Sequence, residues 1–234
     1  MFMGEGEAVL QDQYGSKPGT YYGNTRAEML DFLPPGTGRV LEIGCGDGTF
    51  GAAMKAWGVA QVIGIELFED AARAAATRID RVLHTDALQG IQRLAGETFD
   101  CIVCNDVLEH LPDPWTVLRQ AHGLLNPGGV VVASIPNLRY FPVLKDLVLR
   151  GEFEYQRDGV LDRTHLRFFT RKSIGRLFED TGYSVRAVEG LRGIVFPWKF
   201  GLLNRMLGRR FEDSRYLQFA CIAESPGASG ISNG

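Results

Sequence analysis

A short apolar run over Arg39–Ile43 ends in three glycines at alternate positions, Gly44, Gly46 and Gly48, and a helix-compatible segment begins at Thr49. Glycine at such a junction lets the backbone turn sharply. It also lets a ligand approach the main chain closely, because no Cβ stands in the way. A strand feeding a glycine-rich turn and then a helix N-terminus is the nucleotide-binding corner of a doubly wound α/β sheet. This corner restricts the fold class more than any other feature of the chain.

The segments that follow agree with it. Strand patterns over 39–43, 61–66, 82–84, 99–105 and 130–135 alternate with helix patterns over 49–57, 69–78, 88–95 and 114–125. Alternation of this kind implies a parallel sheet with crossover helices. The run Cys101-Ile102-Val103-Cys104 is apolar on both faces, as a sheet covered on both sides requires. A short helix is expected over 24–33, capped by Asn24 and stopped by Pro34-Pro35. After Pro136 the pattern changes to a helix over 137–150, an irregular charged and aromatic stretch over 151–167, and a helix over 171–181. Strands over 183–189 and 216–223, split by an inserted helix over 196–207, fit an antiparallel hairpin at the sheet edge. The expected fold is thus a doubly wound, mostly parallel seven-stranded sheet with an antiparallel edge hairpin. It forms one domain over 21–224 with a substrate-binding insert at about 137–169. Residues 1–20 read as a flexible arm and 225–234 as a disordered tail.

With 234 residues the chain suits one such domain. No run approaches the ~20 apolar residues of a membrane span, and no basic-then-apolar leader opens the sequence. Four scattered cysteines, two of them Cys101 and Cys104 inside an apolar strand, read as small buried apolar residues. A reduced, cytoplasmic setting is therefore expected. Residues 1–136 carry 9 Lys/Arg against 17 Asp/Glu, whereas residues 137–216 carry 16 against 10. The basic third either faces an anionic substrate or forms a solvated arginine-rich surface.

The dinucleotide fingerprint is G-x-G-x-x-G with an acid about 20 residues on. Here Thr49 stands in place of the third glycine, and Glu66 ends the second strand 20 positions after Gly46. An acid there accepts both ribose hydroxyls of a bound nucleoside. Acids at 42, 47, 66 and 86 would repel a pyrophosphate and suit a cation.

The run Glu42-Ile43-Gly44-Cys45-Gly46-Asp47-Gly48 resembles the first motif of the class I S-adenosylmethionine-dependent methyltransferases, and the likeness extends over about 21–190. The resemblance implies S-adenosyl-L-methionine as cofactor. Glu66 with Leu67 then stands at the ribose, and Asp86 with Ala87 at the adenine. Asn105, Asp106 and Val107 form the turn after the fourth strand. Tyr22 and Arg26 belong to a tyrosine-rich segment that in similar proteins folds over the cofactor as a lid, or else packs on the core.

Methyl transfer is an in-line displacement that needs the acceptor within about 3–3.5 Å of the methyl. A hydroxyl acceptor also needs a base, with histidine the commonest. His110 follows the fourth strand and His165 lies in the insert, so these two are the catalytic candidates. For His165 the alternative is a loop-stapling hydrogen bond to Asp162 or a backbone carbonyl. Arg163, Arg167 and Tyr140 are the candidate acceptor-binding residues, although the arginines have Asp158 and Asp162 as alternative partners. No His/Asp/Glu group shows metal-ligand spacing along the chain, so a metal-free reaction is expected. The stretch Asp162–Thr170 resembles that of bacterial glycan-modifying methyltransferases, which implies O-methylation of a sugar or related small molecule, anionic acceptors such as a nucleotide-sugar included. An N-methyltransferase on an amino sugar or amine and a non-catalytic S-adenosylmethionine-binding protein are the alternatives. Nucleic acid is not an expected partner, and the oligomeric state is left open.

Overall fold

The computed structural model describes residues 26–226. Seven strands form one sheet in the order β3-β2-β1-β4-β5-β7-β6. They are β1 (Arg39–Ile43), β2 (Gln61–Glu66), β3 (Arg81–His84), β4 (Phe99–Asn105), β5 (Leu125–Pro136), β6 (Ser184–Gly193) and β7 (Tyr216–Glu224). β1 to β5 run parallel, and β7 is antiparallel to both β5 and β6. The chain places β7 between β5 and β6, so the antiparallel pair closes the sheet edge as the sequence predicts.

Strand periodicity sends alternate side chains to opposite faces, and the core divides accordingly. Leu41, Ile43, Ile63, Ile65, Ile102 and Val131 pack on one face beneath α3 (Ala87–Arg93), α4 (Pro114–His122) and α6 (Arg171–Glu179). Val40, Val62, Cys101, Val103 and Val132 pack on the other beneath α1 (Thr49–Trp57) and α2 (Glu69–Ala75). Two more helices, α5 (Phe141–Arg150) and α7 (Trp198–Met206), follow β5 and β6 and meet through the rings of Phe141 and Phe200, 4.4 Å apart. Among the described residues no helix is long and apolar enough to cross a membrane.

Several boundaries differ from the sequence expectation for local reasons. The described part of the helix expected at 24–33 is a 3-10 helix, Ala27–Phe32, entered through Arg26 at φ 43°. Asn24, the lid tyrosine Tyr22 and the arm lie outside the described residues. α2 ends at Ala75, because Thr77 N–H and Arg78 N–H bond three residues back and tighten the last turn. Arg78 then reaches Asp47 at 2.5 Å. Ser225, expected in the tail, is buried and donates its N–H to Gly129 O at 2.9 Å. Cys101 and Cys104 are fully buried in β4, and burial pushes the Cys104 thiol up to about 12, so it stays protonated and inert.

Candidate active site

The sheet order reverses between β1 and β4, and a crevice opens there beyond the carboxyl ends of the strands, as open α/β sheets provide. It holds two adjoining cavities that share Arg26 and Asp106. The larger, about 580 Å³, runs along the ends of β1, β2 and β4 and the start of α3. The smaller, about 270 Å³, lies between the β4 turn, the segment 158–165 and the ends of β5 to β7.

The larger cavity collects nearly every residue expected at the cofactor. Arg26, Glu42, Gly44, Gly46, Asp47, Glu66, Leu67, Asp86, Ala87, Asn105, Asp106 and Val107 all line it. The glycine turn is required sterically. Gly44 has φ +71°, and a Cβ on it would lie 2.4 Å from Val107 Cγ2. Gly48 has φ +80°, and a Cβ there would meet the backbone of Ala75 at 2.8 Å. The turn is held from below by Glu66, whose Oε2 accepts Gly46 N–H at 2.8 Å and whose Oε1 accepts Phe68 N–H at 2.9 Å. A carboxylate has about four lone-pair sites, so Glu66 keeps accepting capacity for a ligand's hydroxyl. Asp86 caps α3 by accepting Gln89 N–H at 2.9 Å.

The electrostatics of this cavity suit a cation. Burial, then the nearby Glu66 and Asp47, push the Glu42 carboxyl well above the usual range. Burial also raises Glu66, against the hydrogen bonds it accepts from backbone N–H groups. Asp47 is held low, because Thr49 and Arg78 together outweigh its own partial burial. A glycine cradle too tight for side chains and rimmed by carboxylates fits a sulfonium nucleoside bearing an amino acid. It does not fit a pyrophosphate.

The turn after β4 carries the remaining chemistry. Asp106 sits at φ 53°, an uncommon conformation for a non-glycine residue that clusters at functional sites. Its carboxylate pairs with Arg26, and Oδ1 accepts Gln218 Nε2 at 2.8 Å and Ser134 Oγ at 3.0 Å. Two residues on, a single 3-10 turn, Leu108–His110, presents Glu109 and His110. The segment 156–167 is stapled onto this turn. Leu166 N–H and Arg167 N–H both donate to Glu109 O, at 2.8 and 3.0 Å. The two imidazoles lie edge to face with centroids 4.7 Å apart. His110 Nδ1 lies 3.0 Å from Thr164 O, and His165 Nδ1 lies 3.0 Å from Val160 O. His110 lines the larger cavity, while His165 and Glu109 line the smaller. The loop-stapling bond expected for His165 therefore exists, to a backbone carbonyl.

The expected acceptor-binding residues lie outside both cavities. Arg163 and Arg167 are exposed and line neither cavity. Arg167 bonds Pro112 O and acts as a staple. Tyr140 precedes α5 and also lines neither cavity. The insert turns its arginines outward because Asp162, its only buried acid, folds the loop on itself: Oδ1 accepts Thr164 N–H at 2.8 Å and Thr164 Oγ1–H at 2.7 Å. The small cavity is lined instead by Asp106, Glu109, Asp158 and Asp162 with Arg26, Arg192 and Gln218. Glu109, beside His110, was findable as an acid at a strand-end turn. Gln218 and Arg192 come from β7 and β6, and no spacing along the chain announces them.

Residues 20–188 match a family model described as a methyltransferase domain. The chain is 36% identical over 194 residues to a ubiquinone biosynthesis O-methyltransferase of Xanthomonas axonopodis pv. citri, covering 80% of this chain and 77% of that one. It is 34% identical over 205 residues to the protein of the same name from Xanthomonas euvesicatoria pv. vesicatoria, covering 85% and 80%. A solved S-adenosylmethionine-dependent methyltransferase from Archaeoglobus fulgidus superposes with a TM-score of 0.60 at 20% identity, covering 94% of this chain and 99% of that one. One from Mesorhizobium loti does so with a TM-score of 0.57 at 19% identity, covering 86% and 98%. At such identities the solved structures share the fold.

Proposed function

The chain belongs to the S-adenosylmethionine-dependent methyltransferases, and from that premise we propose that it methylates a hydroxyl oxygen of a small polar molecule of the sugar type. S-adenosylmethionine, when bound, supplies an electrophilic methyl on a positively charged sulfur. The chain's own residues do the rest. Gly44 and Gly46 admit the methionine part, Glu66 receives the ribose, and Asp86 stands at the adenine end of the larger cavity. The acceptor occupies the smaller cavity, so that its hydroxyl meets the wall formed by Glu109, His110 and His165.

The observation that carries this reading is the histidine pair on the wall between the two cavities. A backbone carbonyl only accepts, so each Nδ1 beside one carries the proton. In its neutral form such a ring has its basic site on Nε2, the atom that would take a hydroxyl's proton. The cavity's polarity supports a neutral polyhydroxyl acceptor: four carboxylates face two arginines, and those pair with Asp106 and Glu28. An anionic acceptor, expected from the basic C-terminal third, finds no such balance here. The names of the curated relatives favour a second acceptor class, a phenolic hydroxyl.

The test is a screen of glycosides, nucleotide-sugars, phenols and amines with labelled cofactor, read as a 14-dalton gain on the acceptor. Methylated glycosides are the expected product, and gain on the phenols alone would move the acceptor to the second class. Gain on the amines alone would end the hydroxyl reading. His165→Ala and His110→Ala should each lower kcat by about 10²–10⁴-fold, the range of general-base catalysis. Wild-type turnover in both would remove the pair from the chemistry.

A further inference from the structure

We propose that Gln218 is a positioning residue for methyl transfer. Its amide locks together Asp106 and Arg26, the two residues that both cavities share, and so sets the wall across which methyl and acceptor meet. The proposal deepens the preceding reading and rests on it for the assignment of the two cavities.

Gln218 lies on β7, in register with Pro136 of β5 and Leu191 of β6, and is 6% exposed. It lines the smaller cavity and not the larger. Nε2 donates to Asp106 Oδ1 at 2.8 Å, and Oε1 accepts from Arg26 Nη1 at 3.0 Å. Asp106 and Arg26 also pair directly. An amide has one donating and one accepting end, so it can bridge a carboxylate and a guanidinium. The two charges fix which end faces which. A carboxylate in its place would set two acceptors against each other, and an apolar chain would make neither bond.

The lock matters because of what hangs on Asp106. Its φ of 53° is a strained conformation, which persists only where surrounding groups over-determine it. Those groups are Gln218, Arg26 and Ser134, the last accepting Asp106 N–H at 3.0 Å and donating Oγ–H to Oδ1 at 3.0 Å. The next residue, Val107, packs so closely on the glycine cradle that a Cβ on Gly44 would lie 2.4 Å from it. Glu109 and His110 follow within one turn. The backbone at Asp106 therefore sets the cofactor cradle on one side and the acceptor wall on the other. Arg26 extends the lock to the 3-10 helix Ala27–Phe32, whose Glu28 is in turn held by Arg192 of β6 at 2.9 Å. In-line transfer tolerates little misplacement: an error of about 1 Å can cost about 10²-fold in rate.

The experiment uses the full chain with Gln218→Met, which keeps the length and loses both bonds, and Gln218→Glu, which keeps the shape and replaces the donor. Thermal melting shows that each is folded at the assay temperature. Gln218→Met should weaken S-adenosylmethionine binding about tenfold by calorimetry, since both lost bonds go to charged groups, although Gln218 does not line that cavity. It should lower kcat by about 10²-fold. Loss of a mere acceptor contact would instead raise KM and leave kcat unchanged, and that result overturns the positioning role.

Gln218→Glu gives a signature that packing alone would not. The introduced carboxyl faces Asp106 and Arg26, with Glu109, Asp158, Asp162 and Arg192 round the same cavity. Two adjoining carboxylates hold one proton between them to a raised pH. At low pH the introduced group donates to Asp106 as the amide does, and the variant should approach wild type. As the pH rises from about 5.5 to 8 the proton is lost and the pair repels. The ratio of variant to wild-type kcat/KM should fall over that range, and so should the ratio of S-adenosylmethionine affinities. Ratios that do not change with pH, or wild-type affinity in both variants, overturn the lock. The calorimetric arm needs no acceptor. The expected affinities with no methylated hydroxyl in the screen would therefore overturn the proposed acceptor and leave the lock standing.

Discussion

Glu42 and Glu66 lie almost wholly inside the protein beside one another, at 3% and 5% exposure. Glu66 meets the demand of burial by accepting two backbone N–H groups. Glu42 is held above the ordinary carboxylate range first by burial, then by Glu66 and Asp47. A carboxyl whose folded pKa is raised is protonated in both states at low pH and costs nothing there. As the pH rises past 4.5 the unfolded chain ionises it first, so stability falls until the folded pKa is passed. Glu42→Gln removes that loss and one source of repulsion on Glu66. The cofactor-free variant should therefore melt higher than wild type by a margin that widens from pH 4.5 to 7.5, while its affinity for the cationic cofactor falls. A margin independent of pH would show that Glu42 is not the titrating group. The residue types were legible in the sequence. That Glu42 and Glu66 share one buried space was not, because β1 and β2 bring them together only through the sheet.

At the scale of elements, α6 shows how a local signal becomes tertiary support. Thr170 and Ser173 form a capping box, Thr170 Oγ1 accepting Ser173 N–H and Ser173 Oγ accepting Thr170 N–H at 2.8 Å. The helix presents Ile174, Leu177 and Phe178 to the core, and the chain after it buries Tyr183, whose hydroxyl donates to Leu118 O at 2.7 Å. Thr170→Ala should lower stability by about 1 kcal/mol, measured by urea denaturation with an unchanged m-value. A change in m would indicate that the loop 156–169, anchored at Asn137 by Phe169, had come loose as well. Elements with a repeating apolar face, such as α1, β1 and β4, were readable to the residue. The insert was not. Its arginines turn outward because Asp162 and the carbonyl of Glu109 claim its backbone, and such contacts leave no periodicity.

The whole molecule places its acids, glycines and histidines at one crevice because β1 and β4 are neighbours in the sheet although their paired residues Glu42 and Val103 are 61 positions apart in sequence. A ligand that binds only the folded form stabilises it by about 2.7 kcal/mol at 100 times its dissociation constant. S-adenosylmethionine should therefore raise the melting temperature in proportion to the logarithm of its concentration, and a nicotinamide dinucleotide should not. A shift by the dinucleotide alone would contradict the cation-suited pocket.

The order of strands and helices and the glycine turn were determined by sequence alone. Each depends on a period, a cap or a steric demand that acts within about 20 residues. The acceptor cavity, the outward turn of Arg163 and Arg167, and the meeting of Glu109, His110 and His165 were decided only by tertiary structure. They join β4, the insert and the β6–β7 edge across 55 residues or more, a distance over which only sheet order and packing carry information.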